Sequence, residues 1–208
     1  MALFLFLMLA LAATPADPLD VATASYQRVV SYRVTVRSRS GSSNETLRYF
    51  FKRPGFVRME FIEPHNGAIL VYNPRTKEAR LRPFGFMKPL VLTLRPDNRL
   101  IISSRGHRVD ASDFGALLAA ARKLRGKGKC STQGYDFVGG RKALLVAVEG
   151  AEGMSVENNV HRCLLWLDAK TFLPVKTMTY NESGELLEEV LMDHPEVNIT
   201  LPDSLFEQ

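Results

Sequence analysis

The stretch Tyr49–Pro74, YFFKRPGFVRMEFIEPHNGAILVYNP, carries the strongest fold signal in the chain. Its first part alternates. Leu47, Tyr49 and Phe51 share one face of a strand, and Val57, Met59 and Phe61 share one face of the next. Pro54-Gly55 between them predicts a turn, because proline presets φ and glycine accepts positive φ. Pro64 to Gly67 predicts a second turn, and Ala68 to Tyr72 is a third apolar run. The product is an antiparallel meander with one apolar face and one wet face, the latter carrying Arg48, Lys52, Arg58 and Glu60. Taken alone, it is half of an ordinary β core.

Working outward, residues 18–31 read as a helix with Leu19, Ala22, Tyr26, Val29 and Val30 at helical spacing. Tyr32 to Ser38 then switches to period two. Beyond Pro74, Glu78 to Leu81 is a short strand, Pro83 to Pro89 an irregular surface loop, and Leu90 to Leu94 a further strand. Ile101-Ile102 receives no assignment. Asp110 to Leu124 is the clearest helix, with Ser112 as its cap and a stripe of Phe114, Leu117, Leu118, Ala121 and Leu124. From Cys130 onward strands dominate: a hairpin bending at Gly139-Gly140, an apolar run Ala143–Val148, and strands over 163–168, 172–180 and 186–192.

Residues 1–16, MALFLFLMLALAATPA, contain an apolar run too short to span a bilayer, followed by small residues. They read as a secretory signal peptide cleaved after Ala12 or Ala16, although no Lys or Arg precedes the run. Residues 17–208 then form a single domain, long enough for a large core. The 27 Lys and Arg against 22 Asp and Glu give a net charge of +5. These cations are scattered over strands, with one dense run from Lys123 to Lys129, and lack the aromatic-interleaved stripe of a nucleic-acid surface. The four His have no metal-binding spacing, and neither GxSxG nor CxxC occurs, so the chain reads as no enzyme, with no cofactor and no metal.

Several of these segments resemble one family. Lys52-Arg53-Pro54-Gly55-Phe56-Val57-Arg58, then Pro64, then Tyr72-Asn73-Pro74, look like the signature of the outer-membrane lipoprotein-sorting family that includes LolA and the RseB/MucB sensor domain. The run WLDAKTFLPVKTMTYNESGELLEE from Trp166, and the ending Asn198 to Phe206, resemble later segments of that family. LolA itself carries a further segment after the matching Phe, and this sequence ends at Gln208.

The resemblance implies an α+β fold: an open, strongly curved antiparallel sheet, a half-barrel capped by helices. It implies a periplasmic carrier of lipoprotein or lipid acyl chains towards the outer membrane, a monomer served by an inner-membrane transporter or an outer-membrane acceptor. An RseB-like sensor domain and a structural envelope protein with a filled core are the alternatives. Under that reading Tyr49, Phe51, Val57, Met59, Phe61, Phe114, Leu117, Leu118 and Trp166 line the hollow. Arg53 matches the family arginine that contacts the helical lid, and Pro83–Pro89 is either a plain loop or a lip. Two cysteines in an exported chain suggest a Cys130–Cys163 disulfide, with two buried thiols as the alternative.

Overall fold

The computed structural model describes residues 16–83 and 90–207. The segment expected to be a signal peptide, except Ala16, and nearly all of Pro83–Pro89 lie outside the described residues. In chain order the elements are α1 (Pro18–Gln27), β1 (Ser31–Ser40), β2 (Ser43–Lys52), β3 (Phe56–Glu63), β4 (Ile69–Asn73), β5 (Glu78–Arg82) and β6 (Leu92–Leu94). After them come α2 (Phe114–Arg125), β7 (Lys129–Val138), β8 (Arg141–Glu149), β9 (Arg162–Asp168), β10 (Pro174–Tyr180) and β11 (Leu186–Val197).

The strands form one antiparallel sheet in the order β6-β5-β4-β3-β2-β1-β11-β10-β9-β8-β7. It consists of two meanders, β1–β6 and β7–β11, joined where β1 pairs with β11. Among the described residues neither β6 nor β7 finds a second partner strand, so the sheet stays open. One buried cluster contains side chains from β5 (Ala79), β2, β9 and β8 (Val146, Val148) together with both helices. A single cluster can take in strands so far apart only if the sheet curves around the helices. The half-barrel expected from the resemblance is therefore the fold.

Both helices are capped by aspartates. Asp17 accepts from the Leu19 N–H (2.8 Å), and Asp113 accepts from the Ala116 N–H (2.8 Å). Asp113 thus takes the role expected of Ser112, and α2 starts at Phe114 after a 3-10 turn at Val109–Ala111. Helix α1 is shorter than the 18–31 reading. It ends at Gln27 because Ser31 must pair with Lys52 to begin β1, and Val29 is buried in the connection. Leu19, Leu118 and Leu124 are essentially buried, which stabilises by about 2–3 kcal/mol each.

The helices also bind each other. A Cβ at Gly115 would lie 2.5 Å from the Tyr26 ring, so only glycine permits this approach. The Tyr26 hydroxyl donates to Asp113 (2.8 Å), and Arg125 pairs with Asp17 (2.7 Å) and Asp20 (3.3 Å).

The wet face of the first meander is only partly wet: Arg48 is exposed, but Arg58 is buried. The C-terminal tail crosses it, and Leu201 and Phe206 pack on Phe50, Ile69 and Val71. Arg58 is buried there, donating to Glu60 (2.8 Å) and to the Leu205 carbonyl (3.1 Å), and Lys52 donates to the Leu201 carbonyl (2.9 Å). This accounts for the apolar character of both faces of β4.

The two cysteines are free. Cys130 and Cys163 sit on β7 and β9, each opposite Val148 of the intervening β8. Two strand spacings separate them by about 10 Å, beyond disulfide reach. The alternative of two buried thiols holds for Cys163, whose pKa burial pushes up to about 12, whereas Cys130 is only half-buried.

The WLDAKTFLP run has a structural explanation in Asp168, which is 4% exposed. One carboxylate oxygen accepts from the N–H groups of Lys170 (3.0 Å) and Thr171 (2.9 Å) and from the Thr171 hydroxyl (3.1 Å). The other takes Arg141, at 3.0 and 2.8 Å. Burial pushes the carboxyl up. The Thr171 and Lys170 N–H groups and Arg141 outweigh it and hold the carboxyl below the ordinary aspartate value. A depressed pKa stabilises the fold above the unfolded value, near pH 4, and that contribution disappears as pH falls through the depressed one. Asp168→Ala should cost about 3 kcal/mol at pH 7, since it leaves buried donors unpaired. In urea unfolding, the gap to wild type should narrow between pH 7 and pH 2. An equal gap at both would contradict the assignment.

Candidate functional site on the inner face of the sheet

The inner face is built around a ladder of stacked rings. Tyr32 of β1 stacks on Tyr49 of β2 (5.8 Å between centroids), on Phe51 of β2 (5.1 Å) and on Phe114 of α2 (4.5 Å). Their polar ends are satisfied. The Tyr49 hydroxyl bonds with the Ser112 hydroxyl (2.9 Å), and the Tyr32 hydroxyl accepts from the Phe114 N–H (3.4 Å). Burial, which disfavours the phenolate, raises the pKa of both tyrosines. The ladder fills the middle of the hollow and seats α2 on the sheet.

Beside the ladder the cover thins. Two in-register rows cross the sheet: Tyr49–Met59–Leu70–Leu81–Leu92 and Phe51–Val57–Tyr72–Ala79–Leu94. Five strands at ordinary spacing make each row about 19 Å long. Tyr49 and Leu70 are buried, whereas Met59, Phe61, Leu81, Leu92 and Leu94 are only half-buried. A strap that follows β6 and ends in the 3-10 turn contributes the buried Ile101 and Val109 to the core. It is tied down where His107 Nε2 meets Glu188 Oε2 of β11 at 2.8 Å. Glu45 lies near this pair, its carboxyl raised by burial.

Arg53 lies at the junction of sheet and helix. Its Nε donates to the Val29 carbonyl (2.8 Å) and its Nη2 to the Tyr26 carbonyl (2.9 Å), while the guanidinium lies 4.8 Å from the Tyr26 ring centroid. One planar fork thus holds the end of α1, which suits arginine and not lysine.

Eight of the nine lining residues expected from the sequence come together on this face: Tyr49, Phe51, Val57, Met59, Phe61, Phe114, Leu117 and Leu118. Trp166 does not. Its neighbours Leu165 and Leu167 point inward, so Trp166 points outward, packs with Ala143 and Val175, and donates its indole N–H to Asp136 (2.9 Å). Sequence reasoning missed Leu70, Tyr72, Leu81 and the strap residues Ile101 and Val109. Alternation could have found Leu81, opposite in phase to Arg80 and Arg82.

Two cavities, of about 270 and 200 Å³, open on the outer face along β4 and β5. Among the described residues no group of three His, Cys, Asp or Glu side chains is placed to hold a metal ion.

Residues 88–208 match the model of the MucB/RseB N-terminal domain. The chain belongs to this family. The matched range holds the WLDAKTFLP run and leaves out the Tyr49–Pro74 meander. No curated protein matches the sequence. Solved structures share the fold at low identity. An uncharacterized conserved protein from Thermus thermophilus is 12% identical, with 92% of this chain and 91% of that one covered at a TM-score of 0.57. The Pseudomonas aeruginosa MucA/MucB complex gives 17% identity, 92% and 60% coverage, and 0.53. The Mycobacterium tuberculosis lipoprotein LppX gives 10%, 89% and 95%, and 0.52. This MucB/RseB-type domain therefore spans 60% of the MucB chain it matches.

Proposed function

We propose that this domain binds acyl chains of lipid or lipoprotein in the bacterial envelope, on the inner face of its sheet. The observation that carries the reading is the half-buried patch of Met59, Phe61, Leu81, Leu92 and Leu94, which continues into a core covered, among the described residues, by two short helices and a strap. An acyl chain laid on this patch gains about 0.8 kcal/mol per buried CH₂. To bury a whole chain, the helical cover must lift from the sheet, and the Arg53 contact with the end of α1 opposes that movement. Binding rather than catalysis is the activity proposed, in a periplasmic location reached through the N-terminal leader. Carriage towards the outer membrane is the more specific form. A sensor role of the RseB kind is the second reading, favoured by the family match.

Two experiments test this. A fatty acid bearing a photoreactive diazirine should label peptides from β3, β5 and β6. Labelling confined to the outer-face cavities around Phe56, Val71 and Phe206, or none above background, would overturn the reading. Arg53→Leu should lower stability by about 1–2 kcal/mol and speed exchange of a bound fluorescent fatty acid several-fold, because the helix loses two hydrogen bonds to the sheet. Unchanged exchange rates in stopped-flow displacement would remove Arg53 as a latch.

A further inference from the structure

Strand β7 is the long free edge of the sheet. Among the described residues it pairs only with β8 and runs for ten residues, eight of them exposed, whereas the opposite edge, β6, is three residues long. Such an edge presents unpaired backbone N–H and C=O groups, and natural proteins usually mask it with charge and keep apolar groups off it. Here the masking is partial. A bulge sits between Thr132 and Gly134, but Tyr135 is 60% and Phe137 70% exposed. Tyr135 lies opposite Leu144, and so on the helix side of the sheet.

The charge around this edge is lopsided. Lys123, Lys127, Lys129 and Lys142 form no ion pair among the described residues, although Arg122 and Arg125 of the same run are paired with Asp17 and Asp20. Lys142 sits 4.3 Å from the Tyr135 ring centroid, near the far end of the strand. Of the nearby carboxylates, Asp136 of β7 accepts from the Trp166 indole and keeps its charge, and Glu149 lies opposite Lys129, so the lysines outnumber the acids along this edge. Lysines therefore flank both ends of an open, aromatic-bearing edge.

We propose that β7 accepts an extended acidic segment of a partner polypeptide as a twelfth strand. Main-chain hydrogen bonds supply the pairing, Tyr135 and Phe137 take the partner's apolar side chains, and Lys127 and Lys129 take its carboxylates. This site is separate from the acyl-binding patch and does not depend on it.

The test uses fluorescein-labelled ten-residue peptides of alternating Glu and Val, and of alternating Gln and Val, with anisotropy and amide exchange on the whole chain. The Glu–Val peptide should bind about tenfold more tightly than the Gln–Val peptide and weaken in 0.5 M salt. Amide exchange in β7 should slow while β6 is unchanged. Phe137→Ser, at an exposed position, should weaken binding about fivefold with the melting temperature unchanged. Equal affinity for both peptides, or no protection of β7, overturns the proposal. So does protection of β7 that rises with protein concentration alone, since a second copy of the chain would then occupy the edge. The photoreactive fatty acid should label the bound and free protein alike, which separates failure of this site from failure of the acyl patch.

Discussion

Tyr32→Ala should lower the melting temperature by roughly 10 °C, the largest loss expected from truncating one core side chain. Tyr32 is 1% exposed and stacks on three rings at once, those of Tyr49, Phe51 and Phe114. It is also where the central strand β1, the first meander and helix α2 meet. Removing such a ring costs about 3–5 kcal/mol in lost burial and an unfilled cavity. In a domain of this size each kcal/mol moves the transition by about 2–4 °C. The Phe114 N–H at the start of α2 also loses its acceptor. Tyr32→Phe keeps the ring and should cost only about 1 kcal/mol. Calorimetry on the pair is the check, and a drop of under about 3 °C for Tyr32→Ala would mean that the ladder does not seat the helix.

What was legible in the sequence was local. Alternation placed Tyr49, Phe51, Val57, Met59 and Phe61 on one face, because a strand alternates whatever packs against it. The stripe of α2 was equally plain, with Phe114, Leu118, Ala121 and Leu124 buried. What failed depended on distant segments. Arg58 read as solvated because nothing near it in the chain shows that Leu205 will cover it. Trp166 lies in a run, Cys163 to Leu167, apolar on both faces, so alternation could not decide which way it points. The cysteines suggested a bridge until strand order put Val148 between them. The exposed edge of β7 was invisible for the same reason: whether a strand has one neighbour or two is a property of topology.

The effect expected to be largest on binding is that of Met59→Glu. Met59 shares an in-register row with Leu70, yet the two differ in cover: Leu70 is 2% exposed, and Met59 is half-buried. A carboxylate at Met59 can reach water, so the fold should survive at a cost of about 1–2 kcal/mol. The same group at Leu70 has no such route and should unfold the domain, since an unpaired buried charge costs several kcal/mol. At Met59 the carboxylate would lie where hydrocarbon is proposed to lie.

The direct measurement is paired: thermal melting and titration with a fluorescent fatty acid, for wild type and Met59→Glu. An inner face that seats acyl chains predicts saturable binding by the wild type. For Met59→Glu it predicts a melt lowered by only a few degrees and affinity reduced at least about tenfold. A wild type that never binds the probe, or a variant whose melt collapses, would contradict it and make this face a closed structural core.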